Sequence, residues 1–381
     1  MTAYLDNSAT TRPTEGVIGA MAECMREGFY NPSSLYAPAI ESEKKMTECR
    51  RLILSAIGGS GGDLFFTSGG TEANHLAIEG VLRSLHAPKR ILISSVEHPS
   101  VQLSAEAWRQ AGCRVDPIPV TATGDLDWSF VEAALREGAD MVSCMQVNNE
   151  TGAILDLSRL SSLVRSLCPA CVLHVDGVQG FLRMPMDAKL VDLYSMSAHK
   201  IHGPKGVGAL YVKKGTRLTP LQTGGGQEKG MRSGTENTPG IAGFGRAVSE
   251  MRALGDVQSL LMDKKRLLIS SFRAAAPEMA VNGPDPERAA PHIVNLRFPG
   301  VRGEVLLHAL EGAGVYCSTG SACSSKKRKV SPVLLSMGLS GEEAEGSLRF
   351  SLSVHTQNEE ITYAAEQLKK IYPMLRRYQR R

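Results

Sequence analysis

Val172-Leu173-His174-Val175-Asp176-Gly177-Val178-Gln179 and, a short way on, Val191-Asp192-Leu193-Tyr194-Ser195-Met196-Ser197-Ala198-His199-Lys200 decide the fold of this chain. Each stretch begins as an apolar run of strand length, which predicts a buried strand. Each ends in polar groups. The first offers a carboxylate and an amide, the second a hydroxyl, an imidazole and a lysine. Ligands of open α/β sheets bind outside the carboxyl ends of the strands, so these groups are expected to serve one site. A pyridine-ring cofactor needs this set: a lysine for a Schiff base, an acid to pair the ring nitrogen, and donors for a phosphate.

Outward from these two runs, residues 15–255 alternate helical and strand patterns, which predicts an α/β fold with a mainly parallel sheet covered by helices. The seven expected strands are Leu64–Phe66, Arg90–Ser94, Arg114–Ile118, Asp140–Met145, Val172–Val175, Leu193–Met196 and Gly208–Val212. A helix is expected over Asp127–Arg136, capped by Asp127, with Trp128, Val131 and Leu135 on one face. Ala253-Leu254-Gly255 marks a crossing out of this large domain. A smaller α+β domain is expected from residues 1–14 and 256–381, with strands at Ile293–Phe298, Val315–Cys317 and Leu348–Leu352. Thr356-Gln357-Asn358-Glu359 reads as a capping box opening a last helix, which Pro373 should kink or end.

Composition narrows the function classes. The 381 residues are 42% hydrophobic and 22% charged, ordinary for a globular protein of more than one domain. A net charge of +4 is too slight to argue for nucleic acid; Arg376-Arg377 and Arg380-Arg381 read as a solvated tail. No apolar run reaches the roughly 18 residues of a membrane span. The amino terminus lacks the basic-then-apolar pattern of a signal peptide, so a cytoplasmic location is the default expectation. Eight cysteines are too few for a disulfide scaffold. Cys168-Pro169-Ala170-Cys171 has redox-dithiol spacing but follows the helical pattern Leu157–Leu167, whereas such pairs gain their low pKa at a helix amino terminus. No second close pair exists, and no metal site is expected.

Further polar clusters end other strands. Thr67-Ser68-Gly69-Gly70-Thr71-Glu72-Ala73-Asn74 passes through glycines into a helix, a sequence in which backbone amides and the helix terminus favour an anion. With a lysine downstream it reads as a phosphate cup, Thr71 being both cap and donor, completed by Gly70, Ser197 and His199. Glu97-His98 follows another strand, and an imidazole there would stack on a flat ring or move protons. Gln146-Val147-Asn148-Asn149-Glu150-Thr151-Gly152 ends a further one, with Asn149 placed to bond a ring substituent.

With these motifs in order, the chain resembles the cysteine desulfurases of the NifS/IscS type, within the class V, fold type I pyridoxal-phosphate enzymes. The likeness continues through Leu5-Asp6-Asn7-Ser8-Ala9-Thr10-Thr11, Asn31-Pro32-Ser33-Ser34, Gly224-Gly225-Gly226-Gln227-Glu228, Met231-Arg232-Ser233-Gly234-Thr235 and Arg349-Phe350-Ser351. The resemblance implies pyridoxal 5'-phosphate as cofactor and L-cysteine as substrate. It makes Lys200 the Schiff-base lysine and mover of the Cα proton, and Asp176 the partner of the ring nitrogen. Gln179 and Asn149 would bond the ring hydroxyl region, and His98 would stack on the ring. Thr71, Ser197 and His199 would bind the phosphate, and Thr235 the phosphate of the neighbouring subunit in a homodimer. Arg349 would clamp the substrate carboxylate, which a planar guanidinium suits.

Cys323 selects the reaction. It lies in Ser318-Thr319-Gly320-Ser321-Ala322-Cys323-Ser324-Ser325-Lys326-Lys327-Arg328-Lys329, a polar stretch with a basic end. The resemblance makes Cys323 the acceptor of substrate sulfur, handed on as a persulfide to an iron–sulfur scaffold or a thiolation enzyme. The run Lys326–Lys329 would favour the thiolate or dock an acidic partner. The stretch after Cys323 is longer than in the SufS group. Beside the family it resembles, the chain is expected to lack the longer carboxyl-terminal tail that helps engage the scaffold protein, and to carry Ala198 where many relatives have glycine. The alternative readings are a selenocysteine lyase or another class V enzyme and, from a different class, a non-catalytic sulfur carrier or scaffold.

Overall fold

In the computed structural model, which describes residues 1–86, 89–320 and 330–378, the two runs that open the sequence argument lie side by side as parallel strands. The chain opens with β1 (Ala3–Tyr4) and then supplies the main sheet. Its strands are β2 (Gly62–Thr67), β3 (Arg90–Ser94), β4 (Arg114–Ile118), β5 (Met141–Met145), β6 (Val172–Asp176), β7 (Leu193–Ser197) and β8 (Gly208–Lys213). Their order across the sheet is β2-β8-β7-β6-β5-β3-β4. All run parallel except β8, which is antiparallel to both β2 and β7.

Burial explains why the central strands read as continuous apolar runs: a sheet covered on both faces has no solvated side. Every residue of β5 and β7 is buried. Successive side chains alternate between two apolar layers. Leu92, Val142, Leu173, Val175, Tyr194 and Met196 join the larger cluster, while Phe65, Ile91, Ile93, Met141, Leu193 and Leu210 join the smaller one. Helices Gly70–Ser84 and Pro99–Gln110 cover the smaller layer through Leu76, Val81, Val101 and Ala105. Trp128–Glu137, Leu157–Leu167 and Thr238–Ala253 cover the other. Three polar residues cross the sheet interior as a ladder. The His174 ring bonds Ser143 Oγ at 2.8 Å and Ser195 Oγ at 2.9 Å, and its burial pushes the imidazole pKa down to about 3.

Beyond Gly255, whose φ is 72°, Asp256 caps the helix Val257–Ala275. The later strands are β9 (Ala280–Asn282), β10 (Ile293–Arg297), β11 (Val315–Tyr316) and β12 (Ser347–Ser351). β12, β10 and β9 form an antiparallel sheet in that order, and β1 pairs in parallel with β11. Phe350 packs edge-on against Phe272, with ring centroids 4.9 Å apart. The first residues of the chain are thus stitched to its last third, through β1–β11 and a bridge between Asp6 and Ser351.

One local expectation is narrowed and another corrected. The last helix, Asn358–Tyr378, runs past Pro373. The carbonyl that loses its partner to a proline lies four residues back, at Lys369, which is exposed and open to water. The box at its start is shifted by one: Glu360 Oε2 accepts from the Gln357 amide at 2.8 Å, while the Thr356 hydroxyl accepts from Ser353 N. Asp127 caps its helix as expected, accepting from Phe130 N. Cys168 lies at the carboxyl end of Leu157–Leu167, and burial pushes the neighbouring Cys171 thiol up, away from redox reactivity.

Candidate active site

Five strands deliver their carboxyl ends to one edge of the sheet: β2 at Thr67, β3 at Ser94, β5 at Met145, β6 at Asp176 and β7 at Ser197. Asp176 is the last residue of β6, opposite Ser195 in the β6–β7 register. Lys200 follows β7 in a 3-10 turn, Ala198–Lys200.

Lys200 is the most perturbed amine at this edge. Its Nζ donates to the carbonyls of Ser8 and of Ala9, the latter at 2.8 Å. Burial, then the charges of Arg349 and Arg183, push its pKa down to about 7. The amine is therefore half-neutral near physiological pH, as a nucleophilic lysine must be.

Asp176 Oδ2 accepts from Asn74 Nδ2 at 2.7 Å, and Oδ1 from the Val178 amide at 2.9 Å. Asn74 also donates to Ser100 Oγ, which bonds His98 Nδ1 at 2.8 Å. His98 caps the helix Pro99–Gln110, its Nδ1 accepting from the Ser100 amide at 3.1 Å. That bond requires an unprotonated Nδ1, so the neutral ring carries its hydrogen on Nε2. Burial holds the imidazole below its usual pKa. Behind it, the buried Glu97 accepts from Ser94 Oγ and Met145 N through Oε1, and burial raises its pKa to about 8.

The turn expected to hold a phosphate is closely packed. The helix Gly70–Ser84 is capped by Gly69 at φ 157°, so Thr71 is not the cap but the second helical residue, and it is exposed. A Cβ on Gly70 would lie 2.6 Å from Val178 Cγ2, and one on Gly208 would lie 2.7 Å from Gly69 Cα. Ser197 Oγ is buried and has no hydrogen-bond partner among the described residues. A buried hydroxyl without a partner is costly unless a ligand supplies one. His199 Nδ1 lies 3.2 Å from Thr10 Oγ1, and burial, then Lys200, push its pKa down to about 3. An unpartnered hydroxyl, a helix amino terminus and glycines that no side chain could replace suit a phosphate ester. With Lys200 and Asp176 alongside, this donor set fits pyridoxal phosphate.

Other expected residues lie close by in the fold. Gln179 donates from Nε2 to Ser8 O at 3.0 Å and accepts from Arg183 through Oε1. The Asn149 carbonyl accepts from Arg349 Nη1 at 3.0 Å. Arg349 also pairs with Asp6 at 2.7 Å, and its buried Nε has no partner among the described residues. Thr235 stands apart, exposed on the turn after Gly234. Cys323 lies outside the described residues. Asn74, Asp6 and the Ser8–Ala9 carbonyls carry contacts that the sequence reading had given them no part in. Asn74 had one signal, a polar residue on the apolar face that Ala73, Ala77 and Val81 mark out.

The fold and this edge define a class of sheet enzyme built around a lysine and a carboxylate. The chain matches the family described as aminotransferase class-V over residues 3–363, and it belongs to that family. It is similar to the cysteine desulfurase IscS 1 of Archaeoglobus fulgidus, 38% identical over 377 residues, covering 98% of this chain and 97% of the relative. Among solved structures it resembles a NifS-like protein, with a TM-score of 0.91 and 32% identity over 98% of this chain and 100% of the other. It also resembles SspA in complex with cysteine, with a TM-score of 0.82 and 29% identity over 93% and 100% of the two chains. The seven-stranded, mostly parallel sheet and its smaller antiparallel companion accord with the fold expected from the sequence.

Proposed function

We propose that this protein is a pyridoxal-phosphate-dependent cysteine desulfurase. The observation that carries the reading is the near full-length likeness to cysteine desulfurases in a chain where Asp176 ends one strand and Lys200 lies in the turn that follows the adjacent one. In the net reaction the Cβ–S bond of L-cysteine breaks and an S–S bond forms to Cys323. The sulfur is oxidised and the β-carbon reduced, so cysteine and thiol become alanine and persulfide with every hydrogen accounted for. When bound, pyridoxal phosphate supplies the electron sink that weakens the Cβ–S bond.

The chain's own residues do the rest. Lys200 would hold the cofactor through Nζ and would move the Cα proton of the substrate, a role that its lowered pKa favours. Asp176 pairs with the ring nitrogen, and its bonds from Asn74 and Val178 keep it oriented. Gln179 and Asn149 serve the ring hydroxyl region. His98 stacks on the ring and, from Nε2, manages thiol protons. Gly70, Thr71, Ser197 and His199 bind the phosphate, and Thr235 reaches that of a second subunit in a homodimer. Arg349 takes the substrate carboxylate. Cys323 accepts the sulfur and passes it to an acceptor protein. Residues 15–255 act as the cofactor-binding domain, and residues 1–14 with 256–381 as the smaller one. The reading places the enzyme in the cytoplasm; no helix among the described residues is long and apolar enough to cross a membrane.

The test is to mix the cofactor-loaded protein with L-cysteine and assay alanine and protein-bound sulfane sulfur. Equal amounts of both are expected, with no sulfane sulfur in Cys323→Ser. Alanine formation that needs an amino acceptor would instead identify an aminotransferase. A large preference for selenocysteine would identify a lyase.

A further inference from the structure

Glu150 is a buried carboxylate that the mechanism above does not use. It lies in the turn after β5, 5% exposed, and its backbone is locked in place. Asn148 Oδ1 accepts from the Glu150 amide at 3.0 Å and from the Thr151 amide at 2.9 Å. Asn148 in turn donates to Val96 O at 3.1 Å. The Glu150 carbonyl accepts from Asn295 Nδ2 on β10.

Its side chain reaches both ends of the segment that contains Cys323. On the far side, Ser331 Oγ donates to Glu150 Oε2 at 2.5 Å, and the same hydroxyl caps the helix Pro332–Ser336. On the near side, Gly320 lies so close that a Cβ there would stand 2.7 Å from Glu150 Oε2. Gly320 adopts φ 90°, and its amide donates to Ser318 Oγ at 3.1 Å. Ser318 is bridged to Arg349: its amide donates to the Arg349 carbonyl at 3.1 Å, and its carbonyl accepts from the Arg349 amide at 2.6 Å. The circuit closes where Arg349 Nη1 donates to the carbonyl of Asn149, the neighbour of Glu150. One rigid turn therefore touches the guanidinium offered to substrate and both flanks of the sulfur-accepting cysteine.

We propose that Glu150 is a positioning residue for sulfur transfer, fixing residues 320 and 331, the two ends of the segment that carries Cys323 in the sequence, relative to Arg349. This rests on the desulfurase reading. A displacement of about 1 Å at a reacting atom costs on the order of 100-fold in rate, so the length of this side chain matters more than its charge. Three substitutions separate the two. Glu150→Gln keeps the length and an acceptor for Ser331. Glu150→Asp keeps the charge but draws it back by one methylene. Glu150→Ala removes both.

The experiment is a single turnover of cofactor-loaded enzyme with L-cysteine, following the substrate-induced change in cofactor absorbance, alanine release and persulfide on Cys323. In the Ala and Asp variants the absorbance change is expected to keep its wild-type rate, while persulfide and alanine form at least tenfold more slowly. Glu150→Gln should stay within about threefold of wild type. Ser331→Ala, which leaves Glu150 in place, should slow the same step if Glu150→Ala does not fold. Wild-type persulfide rates in the Ala variant would overturn the proposal. So would a slowing that merely follows lost cofactor occupancy, or a Gln variant as slow as Ala. If the wild-type protein itself forms no persulfide on Cys323, the desulfurase reading fails first and this proposal falls with it.

Discussion

Arg349 and Asp6, 343 residues apart in sequence, form an ion pair of 2.7 Å at the active-site edge. The pair joins β12 to the chain's first segment and leaves one guanidinium edge without a partner, at the buried Nε. A substrate carboxylate would therefore meet a guanidinium already oriented by Asp6 and the Asn149 carbonyl. Arg349→Lys keeps the charge and loses the fork. The expected outcome is a KM for cysteine raised roughly 10- to 100-fold, the equivalent of about 1.4–2.7 kcal/mol, with cofactor absorbance retained. Steady-state kinetics beside the absorbance spectrum checks it.

Asn74 contributes one of the two hydrogen bonds that hold the Asp176 carboxylate. Hydrogen bonds to charged groups are worth about 1.5–3 kcal/mol. Asn74→Ala should therefore lower kcat by roughly tenfold or more and shift the bound-cofactor absorbance. Asn74→Asp should be worse, because it sets a second carboxylate against Asp176. A wild-type spectrum and rate in Asn74→Ala would show that Asp176 needs only the Val178 amide.

The central strands were legible because burial on both faces leaves a short continuous apolar run bounded by polar groups, and their observed ends fall within about two residues of those expected. β1 and β9, two and three residues long, were missed, since neither is long enough to carry a pattern. That Asp176 and Lys200 lie at the same ends of neighbouring strands was legible because each comes at the close of an apolar run, Asp176 as the last residue of β6 and Lys200 in the turn after β7. The partners of Lys200 were not, since the Ser8 and Ala9 carbonyls lie about 190 residues away and a backbone oxygen leaves no mark in a sequence. Thr71 was misread as a cap because threonine is a good one, yet Gly69 adopts a backbone that no threonine would take up easily.

His174 makes the sheet acid-sensitive. Its folded pKa of about 3 lies below the ordinary 6.5, because burial disfavours the imidazolium. Between those values the unfolded chain takes up a proton that the folded chain excludes, so stability falls as the pH drops through this window. The loss at the bottom of the window is on the order of 5 kcal/mol. His174→Leu leaves the Ser143 and Ser195 hydroxyls unpartnered and should be less stable than wild type at pH 7. That gap should narrow steadily from pH 6.5 toward pH 4, measured as urea midpoints. A gap that stays constant would mean the folded imidazole takes up its proton as readily as the unfolded one.

Lys200 gives a signature of the same sign in a higher window, visible at alkaline pH in protein stripped of cofactor. Its ordinary pKa of 10.5 falls to about 7 in the fold. Between these values the unfolded chain holds a proton that the folded chain has released, so this residue makes stability rise with pH across the window. Below pH 7 the full cost of burying an ammonium is present. Above about pH 10.5 it is gone, because the amine is neutral in both states. Lys200→Met removes the titration and also loses the bonds to Ser8 and Ala9, a loss independent of pH. Set against the wild type, the variant should therefore be relatively most stable at pH 6 to 7. It should lose ground by about 1.4 kcal/mol per pH unit up to pH 9. A flat difference would mean that Lys200 stays charged in the fold, and the neutral amine needed to take up the cofactor would then have to be generated during binding itself.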